Sequence, residues 1–364
     1  MQKQNYLHNY TFTAIRGLQA EREFFVTICP LDLIPRIFLY NEEQLPPDLR
    51  AQRTLNKARI PDIANYLANN QDDYVLSSIT ASIDGEVTFE PIKEGSSLGT
   101  LRIPLNSRII INDGQHRRAA IERAINMNPS LAYDSISVVF YIDVGLKKSQ
   151  QMFADLNKNA VRPSRSLNIL YNNRSPLSKF ICEMINEIEI LKNRVELEKT
   201  SLSNRSSKLF TLSNIYQASY DLLDYKEKNK RITSDMKETC IKFWNVLDEN
   251  IQEWQLIKSK KIHPIDLRNN YISSHGVTLQ AIARVAKELK GNFPNSWFDE
   301  LSKIKNIDLS RNNKIWQGRA IINSRVRKNI DNIELVKNGI KLLLKLTLTE
   351  AEIKRERDFS EESK

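Results

Sequence analysis

The stretch Arg108-Ile109-Ile110-Ile111-Asn112-Asp113-Gly114-Gln115-His116-Arg117-Arg118-Ala119-Ala120-Ile121 joins an apolar strand to an alanine-rich helix through a single glycine. The junction carries an acid, an amide, an imidazole and two guanidiniums. Backbone N–H groups at a helix start, the positive end of the helix dipole and adjacent arginines together favour an anion, phosphate above all. Ala120, Ile121, Ala124 and Ile125 recur at the spacing of one apolar helix face, and Arg117 falls near its middle one turn earlier. An inward guanidinium needs either a carboxylate partner or a bound anion. Arg118 lies four residues before Glu122, so an ordinary surface pair competes with a ligand role there.

Working outward, residues 10–28 alternate around Gly17 as two strands, and Ile79, Ala81 and Ile83, then Val87 and Phe89, flank Asp84-Gly85 as a hairpin. Ile60 to Leu67 has helical spacing with a proline near its start. The strand Arg108 to Asn112, the helix Gln115 to Asn126 and the strand Ser137 to Val144 make a strand-helix-strand unit. From Gln150 the pattern turns helical, with segments at Gln150 to Leu156, Ser166 to Leu197, Leu212 to Leu223, Ser234 to Asn250, Leu279 to Leu289 and Leu335 to Leu348. The mixed-charge run Lys192 to Lys199 reads as a solvated helix face. The expected fold class is α+β, with an α+β domain over residues 1–149, a mostly helical region packed on it over residues 150–349, and a charged tail over 350–364 that frays.

The chain has 364 residues and a formal charge of +10, which favours polyanions without proving contact with one. Its three cysteines, Cys29, Cys182 and Cys240, are far apart and read as reduced, packed thiols; no zinc-like spacing links its four histidines. No signal peptide and no apolar run of membrane-spanning length is legible, so a cytoplasmic protein without a membrane role is expected. Basic residues available to DNA phosphates are Lys147-Lys148, Arg162 and Arg165, the run Lys258 to Lys261 with Lys260 and Lys261, and Arg325 to Lys328 with Arg325 and Arg327. The helix Leu212 to Leu223 follows a polar basic segment, yet lacks a convincing recognition-helix pattern.

Asp113-Gly114-Gln115-His116-Arg117 is identified as the signature of the DGQHR domain, and the chain resembles the DndB family of bacterial DNA sulfur modification (phosphorothioation) proteins. The resemblance extends to Arg53 to Leu67, Phe153 to Ala160, Ser274-His275-Gly276-Val277 and Arg311 to Arg319 with Trp316, and so covers nearly the whole chain. A more distant similarity joins the glycine, histidine and arginine to the nucleotide-phosphate turn of the ParB and sulfiredoxin superfamily. Sulfiredoxins place a catalytic cysteine where this chain has Gln115, so sulfinic acid reduction is not implied.

The resemblance implies binding of ATP or another NTP, with Mg²⁺. Asp113, Gln115 and His116 are then the candidate catalytic residues, with Asp113 also the metal ligand, and Gly114, Arg117, Arg118, Asn157 and Arg53 the candidate nucleotide-binding residues. Asn157 reads equally well as part of a helix C-terminus. Arg53 and Arg59 flank a helix start and point either to solvent or to the same cleft. His275-Gly276 reads as a tight turn with a polar cap, and Trp316 with Arg319 as a packed aromatic covered by a guanidinium. Three functions compete: a DNA-binding regulator acting on the promoter region of its own phosphorothioation cluster, a Mg²⁺-dependent NTPase, and a structural partner of other phosphorothioation proteins. A homo-oligomer is left open.

Overall fold

In the computed structural model, the described residues are 9–38, 55–142, 151, 152, 154–156, 158, 163–203, 205–226 and 231–362. The chain divides into two compact units, Met1–Val161 and Arg162–Lys364. Strands and helices occur together, so the fold is α+β.

The first unit is built on a seven-stranded mixed sheet. Its strands are β1 (Asn9–Gln19), β2 (Arg22–Pro30), β3 (Ile79–Asp84), β4 (Thr88–Pro91), β5 (Leu98–Pro104), β6 (Arg108–Asp113) and β7 (Ser135–Ile142), in the order β4-β5-β1-β2-β7-β3-β6. Ala20 and Glu21, both left-handed, turn β1 into β2. Gly17 is not the turn but lies within β1 opposite Phe24, where a Cβ would sit 2.4 Å from the phenylalanine ring. The absent side chain gives Phe24 its place.

The expected hairpin across Asp84-Gly85 does not form. β3 pairs antiparallel with β6 and parallel with β7, whereas β4 pairs with β5 at the opposite edge of the sheet. Most of β3 is buried on both faces, and Ser82 donates to Asn112 of β6 at 2.9 Å inside the sheet. Such a strand needs neighbours on each side; β4, mostly exposed, suits an edge.

Helices α1 (Ile34–Ile37), α2 (Ile60–Asn69) and α3 (Gln115–Met127) accompany the sheet. Ala64 and Leu67 of α2 and Ala120, Ile121 and Ala124 of α3 share one core with Ile79, Ala81, Ile83, Leu101, Ile103, Val138 and Phe140. The apolar spacing read in the sequence therefore buries the face that it predicts, and β6-α3-β7 is the expected strand-helix-strand unit.

The second unit is mostly helical around its own core. Its central helix, Gly276–Asn292, is buried without a break from Gly276 to Ala283 and packs against Leu212–Leu223 and Ile330–Leu343. The segment expected as helix over Ser166 to Leu197 divides into Arg165–Tyr171 and Pro176–Met184, then turns, then a short strand Val195–Glu196 paired with Phe210–Thr211. Lys192 to Lys199 is thus turn and strand, not a helix face. The expected tail is instead a helix, Glu350–Glu362: Glu352 accepts from Lys341 at 2.7 Å, and Glu356 takes both terminal nitrogens of Arg319. Tertiary ion pairs supply what its polar sequence lacks.

Candidate functional site

Gly114 closes β6 and opens α3 with φ 118° and ψ 7°, and its carbonyl accepts the N–H of Arg118 at 2.9 Å. A Cβ here would meet Ile79 at 3.0 Å and the Arg117 guanidinium at 3.2 Å, so both backbone angle and space select glycine. No side chain caps the N-terminus of α3.

Each polar residue of the turn reaches a different part of the unit. Arg117 folds back over Gly114 and donates to the Asp113 carboxylate at 2.7 Å and to the Ser78 carbonyl at 2.9 Å. This ties the end of β6 to the residue before β3. Its Nε is buried without a hydrogen-bond partner. The inward arginine therefore has the carboxylate partner that its position demanded, and that partner is the acid of the same motif.

Arg118 lies 13% exposed and spends its guanidinium on Glu122 at 2.6 Å, the Phe38 carbonyl at 3.1 Å and the Pro35 carbonyl at 3.2 Å. It both pairs along the helix surface and closes the end of α1, as basic side chains do at helix C-termini. His116 is buried, and its Nε2 accepts the N–H of Asn56 at 3.0 Å, which leaves the other ring nitrogen to carry the proton. Gln115 is buried at the first position of α3. The motif is thus a junction of β3, β6, α1 and the segment leading into α2. Sequence reasoning missed Ser78, Asn56, Pro35 and Phe38 because they contribute backbone groups, which leave no mark on side-chain patterns.

Asp113, Gly114, Gln115, His116, Arg117 and Arg118 are brought together here. Arg53, Asn157 and Arg162, as well as Lys147-Lys148, fall outside the described residues. Arg59 is exposed. Among the described residues no group of three or more His, Cys, Asp or Glu could hold a metal. Asp113, the expected Mg²⁺ ligand, is paired with Arg117 at 2.7 Å; Mg²⁺ held through one carboxylate takes most of its shell from substrate phosphates and water.

Of the basic residues proposed for DNA, Lys260, Lys261, Arg325 and Arg327 are exposed and have no carboxylate partner among the described residues. Arg165 is exposed and donates to Gln217. Lys258 is committed to Asp248 at 2.8 Å and Glu189 at 3.4 Å. The helix Leu212–Leu223 buries seven of its residues, including Ile215, Tyr216 and Leu222, and is part of the core rather than a reading helix. All three cysteines are unbridged, and burial pushes Cys29 and Cys240 up to about 12, far from a nucleophilic thiolate.

A profile of the DndB family, described as DNA-sulfur modification-associated, matches residues 12–347, which covers most of each unit and the whole DGQHR turn. The chain belongs to the DndB family. That membership associates the protein with DNA sulfur modification. Comparisons with curated proteins and with solved structures gave no match. No helix among the described residues is long and apolar enough to cross a membrane.

Proposed function

We propose that this member of the DndB family is a DNA-binding regulator of a DNA sulfur modification cluster. The observation that carries this reading is the set of exposed cations without carboxylate partners, Lys260, Lys261, Arg325 and Arg327, on a family member of formal charge +10. Such side chains contact phosphates and set affinity; they do not read bases. Val326 lines a cavity in the second unit while its neighbours Arg325 and Arg327 are exposed, so the alternation of an extended segment presents the two arginines outward. The test is the affinity of the purified protein for the fragment upstream of its own cluster and for unrelated DNA of equal length, each at two salt concentrations. Preference for the upstream fragment with steep salt dependence is expected. Equal affinity for both fragments removes the regulator, and no binding at low salt removes the DNA contact.

A second reading, nucleotide binding at the DGQHR turn with hydrolysis, has one observation in its favour. The α3 N-terminus has no side-chain cap, and the Nε of Arg117 beside it is buried without an acceptor. ATP titration of Arg117→Ala and turnover measurements on Asp113→Asn test it. A role in nucleotide binding requires weaker binding by the first variant, and a role in hydrolysis requires slower turnover by the second. Wild-type behaviour in both folded variants makes the turn purely structural.

A further inference from the structure

The second unit contains a cavity of about 390 Å³ at the N-terminus of the helix Gly276–Asn292, and no residue of the DGQHR turn is among its lining. Among the described residues, Arg268, Arg311 and Lys328 line it, together with no Asp or Glu. Arg268 donates to the carbonyls of Ser203 and Lys208; Arg311 donates to the Arg268 carbonyl at 2.6 Å and lies 3.1 Å from the ring of His275. Arg268 makes a further interaction besides these. Burial pulls both arginines below their ordinary range. His275, pushed down to about 4 chiefly by burial, with Arg311 and Arg268 adding to the effect, stays neutral between them.

The floor of the cavity is a helix start where the Thr278 N–H already bonds the His275 carbonyl at 3.0 Å, which leaves the Gly276 and Val277 N–H groups without an intrahelical acceptor, and His275 supplies no side-chain cap. Gly276 lets Asn214 press against the backbone: a Cβ would lie 2.2 Å from the Asn214 amide oxygen. That same oxygen accepts from Lys328 Nζ at 2.8 Å, which aims the lysine at the helix start. A separate observation also points to a ligand. Ser274 is 4% exposed, lines the cavity, and its hydroxyl has no hydrogen-bond partner; the Nε of Arg311 is likewise buried and unpartnered. The Ser274 hydroxyl and the Arg311 Nε are buried donors beside an open space, and such groups are costly unless an acceptor completes them.

We propose that this cavity is a phosphate-binding site, in which Arg268, Arg311 and Lys328 supply charge and Ser274 and the first N–H groups of the helix donate hydrogen bonds. A phosphate reaches it either on a nucleotide or in a nucleic-acid strand. The volume lies at the lower end of small-ligand pockets, about 300–1,000 Å³.

The full-length protein is titrated calorimetrically with ATP, inorganic phosphate and a short DNA duplex, alongside Lys328→Gln, Ser274→Ala and Arg117→Ala. Thermal melts confirm that each variant folds. Lys328→Gln keeps an uncharged polar side chain and Ser274→Ala removes one atom, so at least one of these two variants is expected to fold. The phosphate ligand should bind the wild type, weaken about tenfold in Lys328→Gln and in Ser274→Ala, and keep its affinity for the site in Arg117→Ala. ATP binding tighter than phosphate identifies a nucleotide; binding of the duplex alone identifies a strand. Failure of all three ligands to bind the wild type, or wild-type affinity in the folded Lys328→Gln and Ser274→Ala variants, overturns the proposal. Loss of upstream-fragment preference without loss of phosphate binding counts against the regulator and leaves this site standing.

Discussion

Arg117 shows how one side chain carries two loads. Its guanidinium answers the Asp113 carboxylate and the Ser78 carbonyl, so Arg117→Ala leaves both without that donor. A loss of about 1–3 kcal/mol in chemical denaturation is expected, with partial recovery in Arg117→Lys, since an ammonium restores charge but not the planar fork. An unchanged denaturation midpoint in Arg117→Ala contradicts the staple. His275 gives a pH signature. Its folded value of about 4 lies below the usual 6.5, so the unfolded chain binds the extra proton between those values. Stability should be full above pH 6.5 and fall as the pH drops towards 4, by roughly 3 kcal/mol at most. His275→Gln should flatten that part of the curve; a slope equal to wild type assigns it elsewhere. The type of residue at Arg117 was legible because helical spacing aimed it inward. Its partner was not, because carboxylate and anion satisfy the same burial.

At the scale of elements, Gly114 and the last helix are the sharpest tests. Gly114→Ala forces a side chain into φ 118° and against Ile79, and should cost about 1–3 kcal/mol in denaturation. A wild-type midpoint there would mean that the β6–α3 turn takes another conformation. In the helix Glu350–Glu362, burial favours the neutral form of Glu352, but Lys337 at 2.6 Å and Lys341 at 2.7 Å hold its carboxyl down to about 2. Glu352→Gln leaves two nearly buried ammonium groups with less compensation and is expected to destabilise by about 3 kcal/mol or more; a change below about 0.5 kcal/mol contradicts the buried network. The helices α2, α3, Leu212–Leu223 and Ser234–Asn250 were legible because each carries its own apolar period. The partners of β3 and the docking of the last helix were not. Both depend on residues far away in the chain: β6 and β7 for the strand, Lys337, Lys341 and Arg319 for the helix.

Over the whole molecule, charge and family point the same way. The +10 excess was visible at once, but composition could not say which cations are neutralised. Lys258 is paired, Arg268 and Arg311 face a cavity, and Lys260, Lys261, Arg325 and Arg327 are exposed without carboxylates among the described residues. The candidate turn was legible as a motif, and its family was identifiable from segments spread along the chain; its role as a junction of strands and helices emerged only from long-range backbone contacts. The measurement that bears most directly on the proposed function is the salt dependence of binding to the upstream fragment, for wild type and for a variant with Lys260, Lys261, Arg325 and Arg327 all changed to Gln. The wild type should lose affinity steeply with salt, and the logarithmic slope of the variant should be shallower by about 0.9 for each phosphate contact removed. A variant with the slope and affinity of wild type would contradict the assignment of DNA binding to these four side chains.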